Sequence, residues 1–110
     1  MKVVITDSAS ESLWPIYLHH LDYSHNYADA FQFEIDRFIV GKLCNNPLLG
    51  HVYHEESGIR RLIFKKCYNV YYTVRREAIF VLFIFDGRMG INQAIEAEGL
   101  NVEDIIGDDY

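Results

Sequence analysis

Seven cations, Arg60, Arg61, Lys65, Lys66, Arg75, Arg76 and Arg88, fall inside the stretch "GIRRLIFKKCYNVYYTVRREAIFVLFIFDGRMG", residues 58–90. Phe64, Tyr68, Tyr71 and Tyr72 are interleaved with them. Cations alternating with rings on a sheet suit two jobs. They hold single-stranded RNA by stacking and phosphate neutralisation, or they hold an acidic amphipathic peptide. A guanidinium can also stabilise charge that develops during phosphoryl transfer.

The other reactive residues point to less. Cys67 lies beside Lys65 and Lys66, a setting that can make a thiol reactive, but it has no His–Asp support nearby. The cluster "HVYHEE" places His51, His54, Glu55 and Glu56 together, yet it lacks the HExxH spacing of a helical zinc site and reads as a loop. His19, His20 and His25 decorate the first helix and its exit, with His20 bordering the core. No phosphate-binding loop, dinucleotide fingerprint or nucleophile elbow is found. The expectation is therefore no metal and no cofactor.

The charge is strongly regional. Residues 1–57 carry three Lys/Arg and eight Asp/Glu, residues 58–90 carry seven and two, and residues 91–110 carry none and six. The sums are −5, +5 and −6, which total the net −6 of the 110-residue chain. This reads as a local basic surface in an acidic envelope, and the overall acidity weighs against broad nucleic-acid affinity. The acidic start lacks a secretory pattern, and Cys44 and Cys67 lack paired spacing, so reduced thiols and a cytoplasmic location are expected. The longest apolar run, Ala78 to Phe85, is too short for a membrane helix.

The elements that must position these groups follow from periodicity. "KVVIT" predicts a first strand. A helix follows, regular from about Ser12, with Pro15 in its first turn. A second helix from about Tyr27 carries the stripe Ala28, Phe31, Ile35, Phe38, Ile39 and Leu43, and stops at Asn45–Pro47. Beyond Gly50 the period shortens to two, and "IRRLIF", "YNVYYTV" and "AIFVLFIF" predict three antiparallel strands joined by tight turns. The last is apolar on both faces, as befits a central or covered strand. A short helix from Ile91 to about Glu98 and a loosely held "NVEDIIGDDY" complete an α+β domain of β-α-α-β-β-β order, a helical hairpin packed on a small, mainly antiparallel sheet. Adjacent Arg60 and Arg61 must point to opposite faces. Which of them meets the helix layer is open, and a half-buried Arg60 would need a partner such as Asp86.

The succession "NPLLG", "GIRRLIF", "YNVYYTV", "AIFVLFIFDGRM" resembles the RelE/ParE toxin superfamily of bacterial type II toxin–antitoxin systems over residues 1–90. That family combines a P-x-x-G turn, a G-[VIL]-R strand, a Y-R-[VIL]-x-Y strand and a closing apolar strand. Arg60 and Arg88 match its arginines and Tyr68 its tyrosine, whereas Asn69 and Asp86 replace the family's Arg and His. The resemblance implies a growth-inhibiting toxin, active when free of a cognate antitoxin, with DNA gyrase or the ribosome and its mRNA as target. The gyrase-type branch is preferred because no general base is evident. The alternatives are a ribosome-dependent mRNA endoribonuclease, with Arg61 and Arg88 as catalytic stabilisers, and a degenerate member that binds only its partner. Arg60, Lys65, Lys66, Tyr68, Tyr72, Arg75 and Arg76 are then the target- or antitoxin-binding residues, converging on one patch. No membrane association is expected, and a homodimer is open. Residues 91–110 form an acidic tail whose Leu100, Val102, Ile105 and Ile106 suit folding back over Arg60, Arg61 and Arg88, a subunit interface, or plain solubilising disorder.

Overall fold

The computed structural model describes residues 1–87 and 102–107. In chain order these form β1 (Lys2–Ile5), α1 (Asp7–Leu21), α2 (His25–Leu43), β2 (His51–His54), β3 (Ile59–Phe64), β4 (Tyr68–Arg75), β5 (Ala78–Asp86) and the short α3 (Val102–Ile106). The sheet has five strands in the order β1-β5-β4-β3-β2. Only the β1–β5 pair is parallel. The α+β class and the helical hairpin laid across a mainly antiparallel sheet are as the sequence implies.

Three local details differ from the sequence reading. Helix α1 begins at Asp7, well before Ser12, because Thr6 caps it: its Oγ1 accepts from Ala9 N–H at 3.2 Å and donates to the Val81 carbonyl at 2.7 Å. Pro15 therefore sits within the helix, where it has no N–H to offer Glu11. "HVYH" is an edge strand rather than a loop, formed by pairing with β3. Finally, part of "NVEDIIGDDY" is the docked helix α3, with Val102 and Ile106 buried. The helix expected at Ile91–Glu98 lies outside the described residues.

Apolar packing fixes both faces of the sheet. On one, Ala9, Leu13 and Ile16 of α1 and Phe31, Ile35, Ile39 and Leu43 of α2 meet Phe64, Val70, Tyr72, Ile79, Val81 and Ile84. On the other, Val102 and Ile106 of α3 pack with Val4, Ile59, Tyr71, Phe80 and Leu82. Covering on both sides explains why β5 is apolar throughout. A bulge at Leu82 (Tyr71 opposes Phe83, Tyr72 opposes Val81) turns the neighbours Leu82 and Phe83 to the same face. Nearby, Ile84 N–H donates to Ser12 Oγ of α1 at 2.8 Å, tying helix to sheet.

Candidate functional site

Arg60 and Arg61 do point to opposite faces. Arg60 shares the helix-side face with Leu62 and Phe64, and its Nη1 donates to the carbonyls of Leu48 (3.2 Å) and Gly50 (2.8 Å). The carboxylate partner expected for it is replaced by these two backbone oxygens. Asp86 is beyond reach: Asp86 pairs with Tyr68 and Arg60 with Tyr72, about 13 Å apart along β4. Tyr72 completes the clasp. Its hydroxyl, fully buried, accepts Gly50 N–H at 2.8 Å. Burial pushes the Tyr72 phenol pKa up, against the opposing pull of that bond and of Arg60. Tyr72 thus holds the "NPLLG" loop from below and offers no surface to a partner.

Arg61 lies on the far face, its guanidinium carbon 5.7 Å from the centre of the Tyr53 ring. Tyr53 meets Tyr71 at 5.0 Å, and Tyr71 meets Phe85 at 6.3 Å. The Arg61 Nε is buried without a hydrogen-bond partner among the described residues. Arg88 lies outside the described residues, and so does the Arg61–Arg88 pairing. At the β4–β5 turn, Arg75 and Arg76 both contact the carboxylate of Glu103 on α3. Arg75 also donates to the Ser57 carbonyl at 2.7 Å.

The cations do not converge on one patch. Lys65 and Lys66 occupy the β3–β4 turn, where Lys65 pairs with Glu34 of α2 at 2.6 Å. Arg75 and Arg76 sit at the other end of the eight-residue β4, about 25 Å away. Across separate strands Arg60 and Arg75 meet, lining a shallow hollow of about 290 Å³ with Glu55 and Glu56. Two hairpin turns at opposite ends of one strand are bound to separate their tips, and the parity of β3 separates Arg60 from Arg61.

A second hollow brings together residues that the sequence keeps apart. His19 and His20 end α1, Tyr23 and Ser24 form the inter-helix turn, Tyr27 opens α2, and Tyr68 and Asp86 pair across β4 and β5. They line a space of about 430 Å³. Ser24 caps α2 by accepting Tyr27 N–H at 2.9 Å, which fixes the turn. His20 forms the floor, 5% exposed, with Nε2 3.1 Å from the Tyr68 hydroxyl and Nδ1 without a partner among the described residues. Burial, aided by His19 and Lys65, lowers the His20 pKa and favours the neutral ring. Burial, with Cys67 and Asp86 adding to it, raises that of Tyr68.

The chain matches no protein-family model, and no curated protein is similar to it. Among the described residues no group of His, Cys, Asp and Glu is placed to hold a metal, both cysteines are free thiols, and no helix is long and apolar enough to cross a membrane. Of the residues singled out in the sequence, the hollow contains Tyr68, Asp86 and His19 as walls, and His20 as the core-bordering histidine it was read to be. Tyr23, Tyr27 and His19 follow one another at helical spacing, but a helix break intervenes and hides their convergence.

Proposed function

We propose that the chain is a growth-inhibiting toxin of RelE/ParE type, working in the cytoplasm and neutralised by a cognate antitoxin. What carries this reading is the clasp around Gly50. The three segments on which the resemblance rests, "NPLLG", "GIRRLIF" and "YNVYYTV", contribute Leu48 and Gly50, Arg60 and Tyr72 to one hydrogen-bonded knot. Their order in the chain thus has a common structural reason. The docking of α3 supports a partner of matching chemistry: a segment reading "VEDII" seats Val102 and Ile106 in the far-face core while Glu103 meets two arginines. An antitoxin segment that is acidic and apolar by turns would be recognised in the same way. The target is a protein such as DNA gyrase: the cations are spread over separate turns and faces of the sheet, which suits contact with a protein surface better than one phosphate-cleaving centre.

Controlled induction of the full chain in bacterial cells tests the proposal. Growth arrest with a DNA-damage response and intact transcripts is the expected result. Arrest with cleaved mRNA would assign the endoribonuclease alternative, with Arg61 and Arg88 as its charge-stabilising arginines. Undiminished growth would overturn the toxin reading.

A further inference from the structure

We propose that the hollow between the α1–α2 turn and the ends of β4 and β5 is a binding site for an organic cation, an alkylammonium or guanidinium group held against tyrosine faces. The proposal is independent of the toxin reading. Rings dominate the wall: His20 lies 4.9 Å from Tyr27 and 6.3 Å from Tyr68, and Tyr23 lies 6.4 Å from Tyr27. Tyr23 and Tyr27 leave 74% and 53% of their surface in water, although they border a concave space. Ring faces are electron-rich and attract a cation that sheds part of its hydration between them.

The charge at the site agrees. Asp86 lines the hollow, while no Lys or Arg among the described residues does. Lys65 acts on His20 from outside, but it is joined to Glu34, which leaves that pair without net charge. A phosphate-bearing ligand would meet a carboxylate there and, among the described residues, no lysine or arginine. The floor contributes as well. His20 keeps Nε2 engaged with the Tyr68 hydroxyl, which fixes the Tyr68 ring at the wall.

The test is a titration of the full-length protein followed by NMR of its tyrosine and histidine rings. Tetramethylammonium chloride stands for a free quaternary amine, Nα-acetylarginine amide for a guanidinium on a partner chain, and tert-butanol for an uncharged body of similar shape. Saturable shifts at Tyr23, Tyr27 and Tyr68 are expected, with at least one cation binding about ten-fold or more tightly than tert-butanol. The tighter of the two cations identifies the source. Tyr27→Leu, at a largely exposed position that leaves the core intact, should weaken binding by about two- to five-fold, whereas Tyr27→Phe should preserve it. Equal shifts with tert-butanol, absence of saturation at these rings, or equal losses in Tyr27→Phe and Tyr27→Leu would overturn the proposal. Growth inhibition plays no part in the readout, so the failure of either proposal leaves the other standing.

Discussion

Replacing Gly50 with alanine probes the clasp directly. A Cβ at this position would stand 2.7 Å from the Arg61 carbonyl oxygen and 2.8 and 2.9 Å from Cε1 and the hydroxyl of Tyr72. The obstruction is backbone on one side and a fully buried ring on the other, so neither yields easily. The loop must lift by several tenths of an ångström, which strains or breaks Gly50 N–H to Tyr72 (2.8 Å) and Arg60 to the Gly50 carbonyl (2.8 Å). Overpacking costs about 1–3 kcal/mol, and a buried donor left unpaired about 1–3 kcal/mol more. Gly50 does not occupy the left-handed region, so alanine recovers about 0.4–1 kcal/mol by restricting the unfolded chain. The net loss is about 2–4 kcal/mol, a large share of the roughly 5–15 kcal/mol that stabilises a domain. Urea unfolding should show the midpoint lowered by about 1–2 M with an unchanged slope. Tyr72→Phe, which removes only the acceptor, should cost less, and the two losses should fall short of adding in the double variant. A midpoint for Gly50→Ala within error of the wild type would refute the account of the clasp.

Other outcomes follow from single contacts. Glu103→Gln should release α3 from Arg75 and Arg76 at a cost of about 0.2–1 kcal/mol, since the pairs are partly exposed; hydrogen exchange at residues 102–107 should rise, and high salt should raise it in the wild type too. His20 has a lowered pKa, so folding favours its neutral form: the stability it confers is complete above the unfolded value of about 6.5 and is lost as pH falls from there through the folded value. Urea midpoints should therefore decline over that window and decline less in His20→Gln, and an NMR titration placing His20 at or above about 6.5 would contradict this. Lys66 has a φ of 65°, a left-handed conformation that a side chain resists. Lys66→Gly should then stabilise by about 0.5 kcal/mol, the relief of strain exceeding the entropy of the added glycine, with a corresponding rise in thermal midpoint.

Helix α2 and strands β3, β4 and β5 could be read directly, because their apolar residues recur with one period and stop at recognisable breakers. Strand β2 could not. Three of the four residues of "HVYH" are exposed, so it has no buried stripe and exists only through its ladder with β3. The start of α1 was hidden because Thr6 belongs to the strand pattern by type and to the helix by function. The candidate surfaces were harder. Alternation along β3 separated Arg60 from Arg61 but not which faced the helices, since each shares its face with apolar residues. Tyr72 looked like a surface ring among cations, yet β4 is buried on both faces and its hydroxyl serves a loop 22 residues earlier. The hollow around His20 draws on residues 19–27, 68 and 86. No local pattern marks a site assembled from three such distant segments.

The parallel pairing of the first strand with the last has a consequence for synthesis. Among the described residues Lys2 through Ile5 find their strand partners in Ala78 through Val81, so β1 stays unzipped until those residues have been made. The β3–β4–β5 meander, built from neighbours, can assemble beforehand, and the closing stitch waits for the final ladder. A truncated translation product ending before residue 78 would lack any neighbour for its N-terminal strand in this sheet. Completion of this sheet is in that sense deferred until residue 81 has been made.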